Sequence, residues 1–274
     1  MPELPEVETT LRGLAPHLTG ARIAAVTIRQ PQLRWPIPVE LPHILPGQRI
    51  RHLARRAKYL LLHCDEGGLI VHLGMSGSLR ILLQDHPPEK HDHFELLLDD
   101  GKRLRLRDPR RFGAVLWHPG DPAQHPLLAH LGVEPLGDNF DTDFLFQATR
   151  NRKTALKLLL MDHHLLVGVG NIYANEALFR ARLHPQIPAL LLSREACARL
   201  VAEIRATLTE AIAQGGSSLR DFVNPQGQSG YFQQSYWVYG RSEQPCRVCH
   251  SPILTLRQGQ RATFYCPHCQ AAAR

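Results

Sequence analysis

The sequence predicts an α+β protein made of several domains, and three observations support this prediction. Short apolar segments, separated by glycine, proline and aspartate, occupy residues 20–118 and are typical of a β-sandwich or barrel. From about residue 140, apolar residues recur at three- and four-residue spacing, which indicates helices. Four of the six cysteines lie between positions 246 and 269, which predicts a small separate unit at the end of the chain.

The N-terminal domain is predicted over residues 1–133. Its candidate strands are RIAAVTI, KYLLLHC, GLIVHLG, LRILL, HFELLL, KRLRLR and AVLWH. Proline and glycine then crowd residues 119–139, which is typical of a connection between domains. We place the interdomain linker over residues 134–150.

Helices dominate the next part of the chain, and the helical domain is predicted over residues 151–235. Three segments show the helical spacing: FDTDFLFQATRNRKTALKLLLMD, NIYANEALFRARL and SREACARLVAEIRATLTEAIAQ. Asp141 and Ser193 are suitable N-caps, and the pair Gly215 and Gly216 is a suitable helix end.

Charge and composition favour a polyanionic partner. The net charge is +7 and the isoelectric point is about 9.3; 27 of the 32 basic residues are arginines, whose planar fork of donors suits phosphate. Codon bias in a GC-rich genome is the alternative explanation for the arginines. The sequence has no apolar run of the roughly 18–20 residues that a membrane span needs, and no secretory signal, so we expect a cytoplasmic protein.

The cysteine unit, predicted over residues 236–274, carries the most specific spacing. Two CxxC pairs, Cys246 with Cys249 and Cys266 with Cys269, flank a segment that alternates like a β-hairpin. Four thiolates in this pattern predict one tetrahedral Zn²⁺, and because sulfur fills every position the zinc is structural. Disulfides are the alternative, which a reducing cytosol disfavours. Cys64 and Cys197 stand alone and are predicted to be buried thiols.

The hairpin between the cysteine pairs carries Arg257 and Arg261, and residues 236–274 contain five arginines and one glutamate. A basic hairpin of this kind is suited to gripping phosphate. A solvated basic surface is the competing interpretation.

The opening peptide, MPELPEVETT, is only partly explained by a helix start. Pro5 fits the first turn of a helix, and Glu6 and Glu8 suit the positive end of the helix dipole. Neither argument accounts for Pro2 or Glu3.

The whole chain resembles the bacterial formamidopyrimidine-DNA glycosylase family, which belongs to a wider group with endonuclease VIII. The matching segments are MPELPEVETT, RRAKYLLL, HLGMSGSLR, EKHDHFEL, DPRRFGAV, VGVGNIYANEALF, QGGSSLRDF, GYFQQ, VYGR and the final CxxC…QRATFYCPHC. The resemblance implies an N-terminal β-sandwich, a helical domain with a helix–two-turn–helix motif in GVGNIYANEALF, and a C-terminal zinc-finger hairpin.

The resemblance also implies a catalytic set. After removal of Met1, the secondary amine of Pro2 attacks C1′ of a damaged nucleotide, and the resulting iminium ion permits β- and δ-elimination. Glu3 moves protons at the sugar, Lys58 is the proton donor for β-elimination, and Arg261 assists δ-elimination. Read alone, Glu3 and Lys58 would be ordinary surface charges.

Further residues match the family's DNA-binding set. Met75, Arg110 and Phe112 match three side chains that fill the gap left by an extruded nucleotide. The implied DNA contacts are His72, His91, Arg110, Arg152 and Asn171. The segment GSSLRDFVNPQGQSGYF resembles the family's loop over the flipped base, but it lacks the lysine of the commoner SDGKPGYF version.

The resemblance therefore predicts a DNA glycosylase and abasic-site lyase that removes oxidised purines from double-stranded DNA. We expect it to act as a monomer in association with the nucleoid. An endonuclease VIII-like enzyme acting on oxidised pyrimidines is the first alternative. A zinc-stapled protein that recognises lesions without cutting is the second. The complete Met75, Arg110 and Phe112 set favours the purine branch, and Pro2, Glu3 and Lys58 disfavour a passive binder.

Overall fold

The computed structural model of the chain describes residues 2–216 and 236–271. These residues divide into two compact units, one made of residues 2–129 and 212–216 and the other of residues 130–211 and 236–271. Met1 and the predicted lesion-capping loop beyond Gly216 lie outside the described residues. Within the described ranges, no helix combines the length and the apolarity that crossing a bilayer requires.

Helix α1 (Leu4–Leu18) opens the first unit. Leu4, Val7, Leu14 and Leu18 are fully buried, and their three-, seven- and four-residue separations place them on one face of the helix. The prediction that the opening peptide starts a helix is therefore confirmed.

The rest of the first unit is a two-sheet antiparallel sandwich. In its described residues the strands are β1 (Ile23–Ile28), β2 (His52–Arg56), β3 (Tyr59–His63), β4 (Gly67–His72), β5 (Ser78–Leu82), β6 (Asp92–Leu98), β7 (Arg103–Arg107) and β8 (Ala114–Pro119). One sheet has the order β1-β6-β7-β5 and the other the order β2-β3-β4-β8. Inward residues of both sheets, such as Leu96 and Val71, belong to one continuous buried cluster, which confirms the predicted β-sandwich. The short helices α2 (Leu41–Ile44) and α3 (Pro126–Ala129) complete the unit.

Strand β2 is absent from the sequence-based predictions. Its sequence, HLARR, has no buried residue and no apolar alternation, because it is an edge strand held by pairing with β3. The other seven strands coincide with the predicted segments.

Three connections meet at one end of the second sheet. The register pairs Tyr59 with His72, and His72 with Ala114. The start of β3, the end of β4 and the start of β8 therefore lie side by side. This places the turn at residues 57–58, the loop 73–77 and the loop 108–113 at a single edge.

The second unit is helical apart from its terminal hairpin. Its helices are α4 (Thr142–Thr149), α5 (Leu156–Leu160), α6 (Asn171–Arg180) and α7 (Arg194–Ala213), the last of which runs into residues of the first unit. Asp141 Oδ1 accepts the Phe144 N–H at 2.7 Å, and Ser193 Oγ accepts the Ala196 N–H at 3.1 Å. Both predicted N-caps are confirmed.

The first predicted helical segment is interrupted. Helix α4 ends before Arg150, whose backbone is extended, and Asn151 has a φ of +61°. Asparagine is one of the few residues that adopt this left-handed conformation readily. Helix α4 also occupies part of residues 134–150, so the division of the chain at those bounds stays a prediction.

Strands β9 (Leu254–Gln258) and β10 (Arg261–Tyr265) form a hairpin near the end of the described chain. Gly259 and Gln260 connect the strands, with φ values of +52° and +63°. Two positive φ values suit the right-handed twist of a two-residue hairpin turn. Gly259 therefore lies at the hairpin tip, as predicted.

Candidate active site and metal centre

The start of α1 places two acidic side chains beside Pro2. Pro2 is buried, Glu3 is 2% exposed and Glu6 is fully buried. Glu3 is the N-cap of α1, and its backbone N–H donates to Glu6 Oε2 at 2.7 Å in a capping box. The positive end of the helix dipole faces this region and disfavours an ammonium group there. Pro2 therefore lies at a buried helix start together with two carboxyl side chains.

The chain that leaves α7 approaches the same point. Gly216 has a φ of +80°, and a Cβ added there would lie 3.1 Å from Glu6 Oε1. A side chain at this position would be strained by its backbone and crowded against Glu6. Gly216 therefore lets the backbone pass close to the buried acid.

Lys58 lies in the two-residue turn between β2 and β3 and is half-buried. Its neighbour Ala57 is 4% exposed and has a φ of +53°, an unfavourable backbone conformation for a residue with a Cβ. Such strain persists where surrounding contacts hold the backbone in place.

Arg55 supplies one of those contacts. Its Nη1 donates to the Ala57 carbonyl at 3.0 Å, and its Nε donates to the Glu8 carboxylate at 2.9 Å. Although burial opposes it, hydrogen bonds from Arg55 and Arg12 lower the pKa of Glu8. An ionised Glu8 therefore ties helix α1 to the turn that carries Lys58. Sequence reasoning missed Arg55, since only the fold brings it to Glu8.

His72 is neutral in this structure. Burial, together with the charges of Lys58 and Arg34, lowers its pKa to about 4. Its Nδ1 faces the Gly74 N–H at 3.0 Å and accepts that hydrogen bond. Tyr59 packs against the ring at 4.8 Å between centroids. His72 can accordingly act as a hydrogen-bonding neighbour of a phosphate near pH 7, but not as a cation.

The three predicted gap-filling residues lie on two adjacent loops. Met75 is 36% exposed and Phe112 is 46% exposed. The Arg110 guanidinium carbon lies 4.9 Å from the centre of the Phe112 ring, so these two side chains stack. Exposed apolar side chains beside an arginine are suited to insertion into a base stack.

The HDH motif sends its side chains to different partners. Half-buried His91 meets His93 edge-on, with ring centres 6.2 Å apart. Asp92 pairs with Arg105 at 3.3 Å, and His93 Nε2 contacts the Asp108 carbonyl at 2.9 Å. His91 is thus the residue of the motif with the most accessible side chain.

Asn171 and Arg261 come together in the second unit. Asn171 begins α6, and its Nδ2 donates to the carbonyl of Ala262 at 3.1 Å. Ala262 follows Arg261, which is exposed beside the hairpin tip. Gly170 precedes the helix as its N-cap, so the first amides of α6 lie beside Asn171 and are suited to a phosphate. Arg152 is exposed in the same unit, 3.7 Å from the Asp162 carboxylate.

Lys157 is a buried cation that sequence reasoning missed. It is fully buried on α5, and its Nζ donates to the Ala262 carbonyl at 3.1 Å and to Thr263 Oγ1 at 2.6 Å. Helices α5 and α6 thus both bind the strand that begins at Arg261. No sequence pattern marked this residue, because its partners lie more than 100 positions away.

The four terminal cysteines form one cluster. Their Sγ atoms all lie within 4.8 Å of one another, with 3.9 Å from Cys246 to Cys269 and 3.4 Å from Cys249 to Cys266. Four sulfurs bound to one Zn²⁺ at about 2.3 Å would be about 3.8 Å apart. The cluster fits one structural zinc ion.

The other two cysteines, Cys64 and Cys197, are in surroundings that disfavour the reactive thiolate form. Burial raises the pKa of Cys64 to about 12 and also raises the pKa of Cys197. Both are buried thiols, as predicted.

Three family models match successive parts of the chain. The model described as the formamidopyrimidine-DNA glycosylase N-terminal domain matches residues 1–115, the one described as its H2TH domain matches residues 131–223, and a zinc finger found in FPG and IleRS matches residues 243–272.

Individual relatives are similar over nearly the full length. A formamidopyrimidine-DNA glycosylase of Methylobacillus flagellatus is 57% identical over 98% of this chain and 96% of its own. One from Geobacter sulfurreducens is 55% identical over 98% of this chain and all of its own.

Solved structures of the same family are similar to this chain over nearly its full length. The crystal structure of the MutM (Fpg) protein of Thermus thermophilus matches this chain with a TM-score of 0.89 and 39% identity, and the match covers 100% of both chains. The Lactococcus lactis Fpg in complex with DNA containing an abasic site has a TM-score of 0.91 and 32% identity, over 98% of this chain and all of the other.

Proposed function

The chain belongs to the formamidopyrimidine-DNA glycosylase family, and we propose that it removes oxidised purines from double-stranded DNA and then cuts the strand. Membership makes it a DNA glycosylase of base-excision repair with one zinc finger, and it confirms the resemblance seen in the sequence. The proposed substrates are 8-oxoguanine and formamidopyrimidines, followed by the abasic site that their removal leaves.

Pro2 is the proposed nucleophile once Met1 has been removed. A bond forms between the proline nitrogen and C1′ of the damaged nucleotide, and the bond from C1′ to the base breaks, with the electron pair leaving on the base. The nitrogen then loses its proton. Its lone pair forms a C=N⁺ bond as the C1′–O4′ bond breaks, and O4′ takes a proton, so the product is a ring-opened iminium ion. An α-amino group titrates near pH 8, well below lysine, so a useful neutral fraction exists near pH 7.

Glu3 is the proposed proton carrier at the sugar. The departing base and the opening sugar ring both need protons, and Glu3 is adjacent to Pro2 in sequence and buried. Glu6 holds the Glu3 backbone in place through the 2.7 Å hydrogen bond. A carboxylate fixed in this way is pre-organised for proton transfer.

The iminium ion then drives strand cleavage. It withdraws electrons from the sugar, so a C2′ proton can leave and the 3′ phosphate departs by β-elimination. Lys58 is the proposed proton donor for that step. Loss of the 5′ phosphate by δ-elimination follows, and Arg261 is the proposed group that stabilises it. Arginine rarely deprotonates, so binding the leaving phosphate suits it better than proton transfer.

DNA binding draws on both units. His72, His91, Arg110, Arg152 and Asn171 are the proposed contacts, and Met75, Arg110 and Phe112 the proposed gap-filling side chains. The L. lactis complexes, in which the related protein binds DNA containing Fapy-dG or an abasic site, support this proposal. We place the protein in the cytoplasm at the nucleoid, as a monomer.

The observation that carries the proposal is the buried pair Glu3 and Glu6 at the start of α1, next to Pro2. A surface helix gains little from burying two carboxylates, since buried charge is costly. The proposed catalysis at Pro2 accounts for the burial of both carboxyl groups.

Borohydride trapping tests the proposal. Protein shown by intact mass to lack Met1 is incubated with an 8-oxoguanine duplex and borohydride, and peptide mapping locates the adduct. An adduct on Pro2 together with a strand cut supports it, and a Pro2→Gly variant should trap far less. Tight lesion binding with neither adduct nor cut would indicate a passive binder.

Oxidised pyrimidine is a second candidate substrate. A related L. lactis protein has been solved with DNA containing an oxidised pyrimidine, at 32% identity and a TM-score of 0.90. Parallel trapping on 8-oxoguanine and 5-hydroxycytosine duplexes ranks the two. A faster reaction with the pyrimidine would favour the endonuclease VIII-like alternative.

A further inference from the structure

A buried carboxylate connects the two loops that carry the gap-filling residues. Asp108 is fully buried. Its Oδ1 accepts the Ser76 hydroxyl at 3.0 Å, and its Oδ2 accepts the Gly113 N–H at 2.7 Å. Ser76 follows Met75, and Gly113 follows Phe112. Each oxygen of the Asp108 carboxylate thus binds the residue that follows an exposed apolar side chain.

The third gap-filling residue is tied to the same group. The Arg110 N–H donates to Ser76 Oγ at 3.3 Å, so Ser76 is donor to Asp108 and acceptor from Arg110. The Asp108 backbone is fixed as well, because its carbonyl contacts His93 Nε2 at 2.9 Å and its N–H donates to the His91 carbonyl at 3.0 Å. Both carboxylate oxygens are engaged, so the Asp108 side chain cannot turn toward another partner without losing one of these hydrogen bonds.

The two loops cross between sheets. Loop 73–77 runs from β4 in one sheet to β5 in the other, and loop 108–113 returns from β7 to β8. They meet backbone to backbone at Gly74, whose φ is +64° and where an added Cβ would overlap the Phe112 backbone. Arg111, between Arg110 and Phe112, has a φ of +57°, which is strained for arginine.

We propose that Asp108 is a positioning residue that locks the two loops together, so that Met75, Arg110 and Phe112 enter the base stack as one rigid wedge. This inference rests on the proposed gap-filling role of those three residues. Without the carboxylate, the loops are joined by fewer contacts and the strained turn at Arg111 can relax.

Rigidity of the two loops matters because the free-energy cost of extruding the nucleotide has to be offset by all three side chains at once. Unstacking a base costs a few kcal/mol, and the inserted side chains offset that cost only if they reach one gap together. A misplacement of about 1 Å can cost about a hundredfold in rate. Asp108 touches no DNA atom in this proposal and acts entirely through Ser76 and Gly113.

The test separates extrusion from chemistry. An 8-oxoguanine duplex carrying 2-aminopurine beside the lesion reports unstacking by fluorescence and excision by single-turnover strand cutting. A single-stranded oligonucleotide with an abasic site needs no wedge. We expect Asp108→Ala to slow both the fluorescence change and excision about tenfold or more, with single-strand cutting within about threefold of wild type.

Matched variants define the outcome. Asp108→Asn keeps an acceptor for the Gly113 N–H and supplies a donor toward Ser76 Oγ, so it should restore most of the rate. Glu95→Gln changes a carboxylate that is 1% exposed in the same sandwich but bonded to arginines away from both loops, and should leave the fluorescence rate unchanged. Ser76→Ala removes only the hydrogen bond from Ser76 to Asp108 and should slow extrusion less than Asp108→Ala does. If Asp108→Ala does not fold, Ser76→Ala takes its place in the test.

Two results would overturn the inference. One is an equal loss on duplex lesion and on single-stranded abasic site, which indicates a general structural role. The other is an unchanged fluorescence rate in folded Asp108→Ala. If wild-type protein cuts neither substrate, the proposed function fails, and the fluorescence comparison, which needs no strand cut, still decides on Asp108.

Discussion

The backbone nitrogen of Glu3 lies 2.7 Å from a carboxylate oxygen of Glu6, and both side chains are buried at the start of α1. A capping box on a protein surface stabilises a helix. Here the same bond also fixes the backbone between Pro2 and Leu4, and so the direction from which the proposed nucleophile meets the sugar. In the proposed mechanism, one hydrogen bond therefore serves both helix capping and catalysis.

Glu6→Ala should therefore reduce catalysis more than folding. Loss of the acceptor leaves the Glu3 N–H without this partner and frees the first residues to move. We expect borohydride trapping at Pro2 to slow about tenfold, with the helical circular dichroism unchanged. Glu6→Gln keeps an oxygen acceptor and should retain most of the rate. If Glu6→Ala traps at the wild-type rate, the bond serves the helix alone.

Lys157→Met should loosen the strand that begins at Arg261. The ammonium donates to Ala262 and Thr263, and methionine fills a similar volume without those bonds. We expect excision on an 8-oxoguanine duplex to fall about tenfold with zinc content unchanged. Lys102→Met, at a lysine paired with Asp100 in the first unit, is the control and should be neutral. Equal activity of the two variants would contradict a positioning role for Lys157.

The parts of the fold with local signals were predicted well. Seven strands, two N-caps and the cysteine cluster each follow from spacing or residue type within a short window. Strand β2 was missed because its pairing with β3, and not its own pattern, holds it. Asn151 breaks a helical pattern whose apolar spacing continues on either side of it.

The supporting residues of the site could not be found in this way. Asp108 and Lys157 look like surface charges in a sequence, and Arg55 like one more arginine among 27. Their roles come from contacts across 32, 106 and 47 positions respectively. Burial and partner are properties of the tertiary fold, so only the structure identifies them.

His72 should titrate far below an ordinary histidine. Its pKa is about 4, against 6.5 for the free side chain, so the unfolded chain binds a proton between those values that the fold excludes. The contribution of His72 to stability is therefore complete above about pH 6.5 and is lost as pH falls toward 4.

Nuclear magnetic resonance of the imidazole carbons of His72 checks this directly. We expect a midpoint near pH 4, and an assigned signal that titrates near 6.5 would show that burial and Lys58 exert no such effect. His72→Asn keeps an acceptor for the Gly74 N–H and removes the titration. Its unfolding midpoint should accordingly depend less on pH between 5 and 6.5 than that of wild type.

Zinc removal should unfold the terminal hairpin. The small core beneath it contains Cys246 and Cys266 together with Phe179, Val238 and Ile253, with Cys249 and Cys269 at its edge, so the metal ligands are a large part of the packing. Few apolar contacts remain to hold Arg261 once the sulfurs separate. We expect Cys249→Ser to lower zinc content from one per chain to below about 0.2 and to weaken lesion-duplex binding at least about tenfold.

Trp237 gives a local readout of the same change. Its ring stacks on Phe179 at 5.6 Å between centroids, next to the cysteine cluster. Chelation should shift its fluorescence to longer wavelength, and a Trp237→Phe variant identifies that share of the signal. Cys64→Ser changes a buried thiol in the sandwich and should keep one zinc per chain. Full zinc content and normal binding in Cys249→Ser would show that three sulfurs suffice to hold the hairpin.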